Sequence, residues 1–259
     1  MTSVRQISAA ALCVMAALWF AGCGIVVEIS RPEVSCERRK FVTIGATVVW
    51  KFLGNSAFFF ENGMTITADG APDAFHPADD ERARDWLANA GAPGNWWVLV
   101  TDAKGDPVVQ GPDDPMPGFY IARTSLQDES KPETDPRRYV DADTVPFVVL
   151  PYNQLDQLGA KLGDFAVVTN RRNGRYTYAI LADLGPPRYA GEGSIALAKS
   201  LGINEDARWG GADEGVLYIV FPGSGNGKPR SLAEIEAEGA RLFEAWGGRR
   251  RVDTCLDGK

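Results

Sequence analysis

The stretch LADLGPPRYAGEGS, residues 181–194, sets Asp183 and Glu192 nine positions apart, on either side of a Gly/Pro-rich turn. Two carboxylates placed in this way can divide acid–base work. One protonates a leaving oxygen while the other activates water or attacks, as cleavage of a glycosidic bond requires. Such a pair needs two environments and hence two pKa values. Leu181, Ala182 and Leu184 give Asp183 partly apolar surroundings, which on local grounds raises its pKa and favours it as the acid. Gly191 and Gly193 around Glu192 allow a large substrate to approach the backbone closely. Taken singly, each residue also has a plain reading: Asp183 as a turn residue satisfying backbone donors, Glu192 as a solvated loop charge.

Other residues join them as candidates. Asp69 and Asp73, in ADGAPDAFHP, read either as turn aspartates or as acceptors for cationic amines. His76, the single histidine, stands before Pro77 with no serine or cysteine nucleophile motif, so it is expected to hydrogen-bond within the loop or touch substrate rather than act as a base. Asn95-Trp96-Trp97 offers an aromatic platform. Strand alternation would turn at most one of the two tryptophans to a cleft, and Trp96 is the candidate. With four cysteines, no C-x-x-C and no His/Cys cluster, neither a zinc site nor any cofactor is expected. SGNGKP, 223–229 with its preceding glycine, lacks the order of a phosphate loop and reads as a linker.

A chain of 259 residues with 45% apolar and 24% charged residues has the composition of an ordinary globular protein. Its net charge of −7, without a basic stripe, argues against nucleic acid and anionic lipid and favours polycations. The N-terminus reads as an export signal over residues 1–22: Arg5, then an apolar run from Ala9 to Phe20, then Ala21 and Gly22 before Cys23. That order resembles a bacterial lipoprotein signal, with cleavage before Cys23, lipidation of Cys23 and membrane contact only through that lipid; the alternatives are an ordinary secretory signal, giving a secreted protein, or a short membrane anchor. Cys13 leaves with the signal, so Cys36 and Cys255 remain as an even pair in an oxidising compartment.

Residues 23–40 read as a tether, 41–223 as one domain and 224–259 as a C-terminal helix and tail. Strands are expected at 41–50, 57–60, 96–100, 146–150, 163–169, 175–183 and 216–221, with a short helix over 78–89. Asn173-Gly174 signals a two-residue hairpin, and the charged stretch 125–138 a solvated surface loop. Ser194 and Gly202 bracket a short helix. Ser231 and Glu234 form a capping box that opens an amphipathic helix carrying Ile235, Leu242 and Trp246.

The run GDFAVVTNRRNGRYTYAILADLGPPRYAGEGSIALAKSLG, followed by EGVLYIVFPG, resembles the double-psi β-barrel of expansins, endoglucanases and lytic transglycosylases. Within it the likeness to family 75 glycoside hydrolases, the chitosanases, is the nearest. Asp183 and Glu192 match that family's catalytic pair in type and spacing, and TITADGAPDAFHP resembles its D-G-A-P-x-A-Y-x-P segment, with Phe75 where tyrosine is frequent. The likeness extends over Val49 to Gly223. It implies a mostly β, six-stranded double-psi barrel with an N-terminal β-rich extension and a C-terminal helix. It also implies hydrolysis of β-1,4 bonds of chitosan with inversion, Glu192 as proton donor and Asp183 as base, opposite to the local reading; a monomer is expected. The rivals are transglycosylase-like cleavage of peptidoglycan and a non-catalytic, expansin-like polysaccharide-binding lipoprotein.

Overall fold

Arg38–Ile44 (β1) and Thr47–Phe52 (β2) open the structure as an antiparallel hairpin turning at Gly45. The coordinates are a computed structural model that describes residues 35–257. The expected signal segment, Cys13, Cys23 and most of the tether lie outside the described residues. β1 begins inside the stretch read as tether. A Cβ on Gly45 (φ +57°) would stand 2.2 Å from the Arg188 carbonyl oxygen, so glycine here lets the loop between Asp183 and Glu192 dock on the hairpin.

Phe58–Thr67 (β3) follows, then a long irregular excursion holding a four-residue helix, Leu87–Ala90 (α1), and the two-residue strands Gly91–Ala92 (β4) and Asn95–Trp96 (β5). Next come Phe147–Pro151 (β6), Leu155–Leu158 (α2), Phe165–Asn170 (β7), Tyr176–Gly185 (β8), Glu192–Ser194 (β9), Ile195–Leu201 (α3) and Ala212–Phe221 (β10). Leu232–Trp246 (α4) and Gly248–Cys255 (α5) end the chain. The strand order β3-β10-β7-β8-β6-β9 closes on itself through a parallel β9–β3 pairing. The result is the closed six-stranded barrel, with hairpin extension and C-terminal helix, that the double-psi resemblance implies. β6–β8 is the other parallel contact, and the remaining neighbours are antiparallel. Phe58, Phe60, Phe147, Phe165, Ile180 and Ile219 are fully buried, and strands covered on both faces carry near-continuous apolar runs.

Ser194 is a junction. Its hydroxyl caps α3 by accepting from Leu197 N at 3.1 Å, accepts from Phe147 N at 3.0 Å and donates to Val145 O at 2.8 Å. One side chain thus fixes the end of β9, the start of β6 and the start of the helix. Gly202 ends α3 in the left-handed region. The capping box of Ser231 and Glu234 is present, and α4 buries Ile235, Phe243 and Trp246, with Leu242 only partly covered. Gly239 allows α4 to lie on Tyr178, whose side chain would be 2.6 Å from an added Cβ. Cys36 and Cys255, with Cα atoms 5.1 Å apart, form a disulfide that joins the first described segment to α5.

Some elements depart from expectation. The helix expected over 78–89 is reduced to α1, because side chains there serve the backbone locally. Asp80 accepts from Arg82 N, Asp79 from Leu87 N and Asp85 from Trp86 N, and Arg84 N and Asp85 N bond back to Asp73 O and Ala74 O. The strand expected over 96–100 stops at Trp96, and beyond it only isolated bridges join Leu99 to Ala122 and Thr101 to Pro107. The β7–β8 hairpin turns through Arg171–Gly174, a longer loop than a two-residue turn. The Gly-rich stretch read as a linker is docked: the buried Asp164 carboxylate accepts from Gly223 N at 3.0 Å and Gly225 N at 2.8 Å.

Candidate active site

Val149 of β6 is the register partner of Asp183 on β8 and of Glu192 on β9. Residues directly opposite in a ladder point to the same face, so Asp183, Val149 and Glu192 form one row across three strands. Two strand spacings put the outer Cα atoms roughly 9–10 Å apart. All three line a cleft of about 790 Å³ at this end of the barrel, with Asp69, Asn89, Trp97, Arg123, Ser125 and Tyr152 among the other walls.

The carboxylates differ in what holds them. Asp183, only 8% exposed, accepts on Oδ1 from Ser125 N at 2.9 Å, Ser125 Oγ at 2.6 Å and Leu184 N at 2.8 Å. Burial pushes its pKa up, while the Ser125 and Leu184 hydrogen bonds and the Arg123 charge act the other way. Ser125 is itself positioned, since Leu126 N donates to Ala182 O at 2.8 Å beside the end of β8. Glu192 has no side-chain hydrogen bond among the described residues. Burial, then the charges of Asp183 and Asp85, push its pKa up to about 7. Its Oε2 lies over Gly185, 3.2 Å from where a Cβ there would stand.

Asp69 stands just past the end of β3, where Gly70 (φ +84°) packs so closely on Val140 and Thr124 that a Cβ would be 2.1 Å from the Val140 oxygen. Burial and the neighbouring Asp183, Glu192 and Asp85 charges hold its pKa well above the usual carboxylate range, against one hydrogen bond from Thr67. The strongest charges acting on it are all carboxylates. Of the four residues expected to touch substrate, Asp69 alone lines the cleft.

The other three sit elsewhere. Asp73 is taken by Arg84, whose Nε donates to it at 2.8 Å while Nη2 reaches Asp143 at 2.8 Å. His76 accepts from Ala78 N through Nδ1 at 3.0 Å and packs edge-on against Phe119, as a structural loop residue does. Trp96 is half-buried against the core, and Trp97 lines the cleft in its place. The pair thus divides between cleft and core as alternation implies, with the two members exchanged. Ser125, Arg123 and Asn89 carried no local signal, and Ser125 lay in a loop read as a solvated excursion. The apolar neighbours of Asp183 point to a raised pKa, and burial does raise it, but they give no sign of the three donors that the fold brings to its Oδ1.

Residues 120–247 match the family model described as fungal chitosanase of glycosyl hydrolase group 75. No curated protein matches the chain. The matched span contains β6, β8 and β9, and with them Asp183, Val149 and Glu192, while Asp69 precedes it. Residues 120–247 are thus a region of the chitosanase type of glycosyl hydrolase group 75, and the protein is a glycoside hydrolase.

Proposed function

We propose that this enzyme hydrolyses β-1,4 bonds between glucosamine units of chitosan in a single inverting displacement. The observation that carries the reading is the row Asp183–Val149–Glu192 along one wall of the cleft. Carboxyl groups on strands two apart fit the spacing of about 6.5–9.5 Å that leaves room for a water, better than the ~5–5.5 Å of a direct nucleophile. Glu192 is the proton donor. With a pKa near 7 and no donor holding its charged form, it carries its proton in mildly acid solution. Asp183 is the base. Ser125 and Leu184 fix Oδ1 and favour the carboxylate, and Oδ2 accepts no hydrogen bond from the described residues, so it is the oxygen available to take a proton from water.

Asp69 supplies a counter-charge for a substrate ammonium. A half-buried carboxylate beside two others is stabilised when a cationic sugar enters. Action outside the cytoplasm, with a lipid on Cys23, is part of the same proposal. The Cys36–Cys255 disulfide supports an oxidising compartment.

Product analysis on chitosan, chitin and peptidoglycan tests the substrate class, and Asp183→Asn and Glu192→Gln test the pair. Each variant keeps the side-chain shape, so each should bind chitosan and lose about 10²–10⁴ in rate. Wild-type hydrolysis by Glu192→Gln, or release of anhydro-sugars from peptidoglycan, contradicts the proposal. Polymer binding with no new reducing ends identifies a binding protein instead.

A further inference from the structure

Two large aromatic side chains line the cleft with more than half their surface in water: Trp97 at 54% and Tyr152 at 60% exposure. Trp97 is the more constrained. Its indole Nε1–H donates to Asn89 O at 3.1 Å, and its backbone N–H donates to Ala90 O at 3.2 Å. Its carbonyl accepts from Arg123 Nε at 3.1 Å and Nη2 at 3.0 Å. An exposed tryptophan held by both its backbone and its ring nitrogen presents one fixed apolar surface, with little rotamer freedom left to lose on binding. Trp209 is more exposed, at 77%, but it stacks edge-on against Trp86 and is not among the cleft walls.

We propose that Trp97 is a sugar-stacking residue, on which one glucosamine ring of the bound polymer lies flat against the indole. This inference rests on reading the cleft as a polysaccharide site. A β-linked pyranose holds its hydroxyl and amino groups around the rim and presents C–H groups on its faces, which suits an aromatic surface flanked by polar groups. The amides of Asn89 and Gln127 and the Arg123 guanidinium line the same cleft and supply that polar rim. A positively charged sugar adds attraction to the indole face. Trp97 belongs to the binding of the chain, while Asp183 and Glu192 do the chemistry.

Covering about 50 Å² of apolar ring corresponds to roughly tenfold in affinity. Trp97→Ala is therefore expected to raise KM on soluble chitosan about tenfold with kcat within about twofold, the pattern of an interaction present equally in the ground and transition states. Trp97→Phe, which keeps a flat ring, should recover most of the loss. A purely structural tryptophan would instead lower the melting temperature and kcat together. An unchanged KM in Trp97→Ala overturns the inference. If the wild-type enzyme does not turn over chitosan, it is the hydrolytic reading that has failed. Calorimetric titration with a glucosamine hexamer then decides: about tenfold weaker binding by Trp97→Ala than by wild type supports the stacking role. Equal binding by the two, or none by the wild type, overturns it.

Discussion

Glu192 and Asp183 are both carboxylates in one cleft, and the difference between them comes from their donors. A pKa near 7 for Glu192 predicts that kcat/KM on a glucosamine oligomer falls as pH rises through about 7, as the acid loses its proton. The sign of its effect on stability follows from the same shift. Raised in the fold above the ordinary 4.5, Glu192 costs nothing below about pH 4.5, and its cost grows between there and about 7. Glu192→Gln should thus melt with the wild type at pH 4 and roughly a few degrees above it at pH 8. A melting difference independent of pH contradicts the shift. Ser125→Ala removes one donor from Asp183, so the acid limb of the rate profile should move to higher pH while the alkaline limb stays. An unmoved acid limb would show that Ser125 does not hold the base.

At the scale of elements, register does the positioning. Gly185 leaves the Glu192 carboxyl its place, since a Cβ there would lie 3.1 Å from Val149 Cγ1 and 3.2 Å from Glu192 Oε2. Gly185→Ala should displace that carboxyl and lower kcat about 10- to 100-fold with little change in melting temperature. Wild-type kcat would contradict it. Gly239→Ala meets the Tyr178 side chain at 2.6–2.8 Å, so it should cost ~1–3 kcal/mol in denaturant unfolding and leave kcat alone. The elements legible in the sequence were those with local signals: α3 between Ser194 and Gly202, α4 from its capping box, and the apolar runs of β6, β7 and β10. The register that seats Asp183 and Glu192 on either side of Val149 is a property of strand pairs far apart in the chain. It was invisible, although the two residues themselves stood out by type and spacing. β9 is three residues long and carries no strand signal of its own, and the 78–89 segment resembled a helix until Asp79, Asp80 and Asp85 bonded the backbone otherwise. Ser125 and Arg123 reach the cleft only through long-range contacts, so no window of sequence could nominate them, whereas the Trp96-Trp97 pair stood out by type and only the choice between its members waited on the fold.

Residues 35–257 form a barrel whose first described segment is pinned to α5 by a disulfide, and the sequence carries a net negative charge. Cys36 and Cys255 are separated by 219 positions, and closing so long a loop is worth at most about 5 kcal/mol in the loop-entropy picture. Cys36→Ser with Cys255→Ser should lower the melting temperature and leave the cleft chemistry intact at 25 °C; an unchanged melting temperature would remove the stabilising role. The net charge of −7 should speed encounter with cationic chitosan, so turnover at low substrate falls between low and moderate salt. A neutral oligosaccharide should respond little, and equal salt responses would reduce the charge to a solubility feature. The central claim, one displacement carried by two carboxylates across a water, has a direct stereochemical readout. Proton NMR of the first-formed product from a β-linked glucosamine oligomer should show the α-anomer ahead of mutarotation; initial appearance of the β-anomer would mean retention and contradict it.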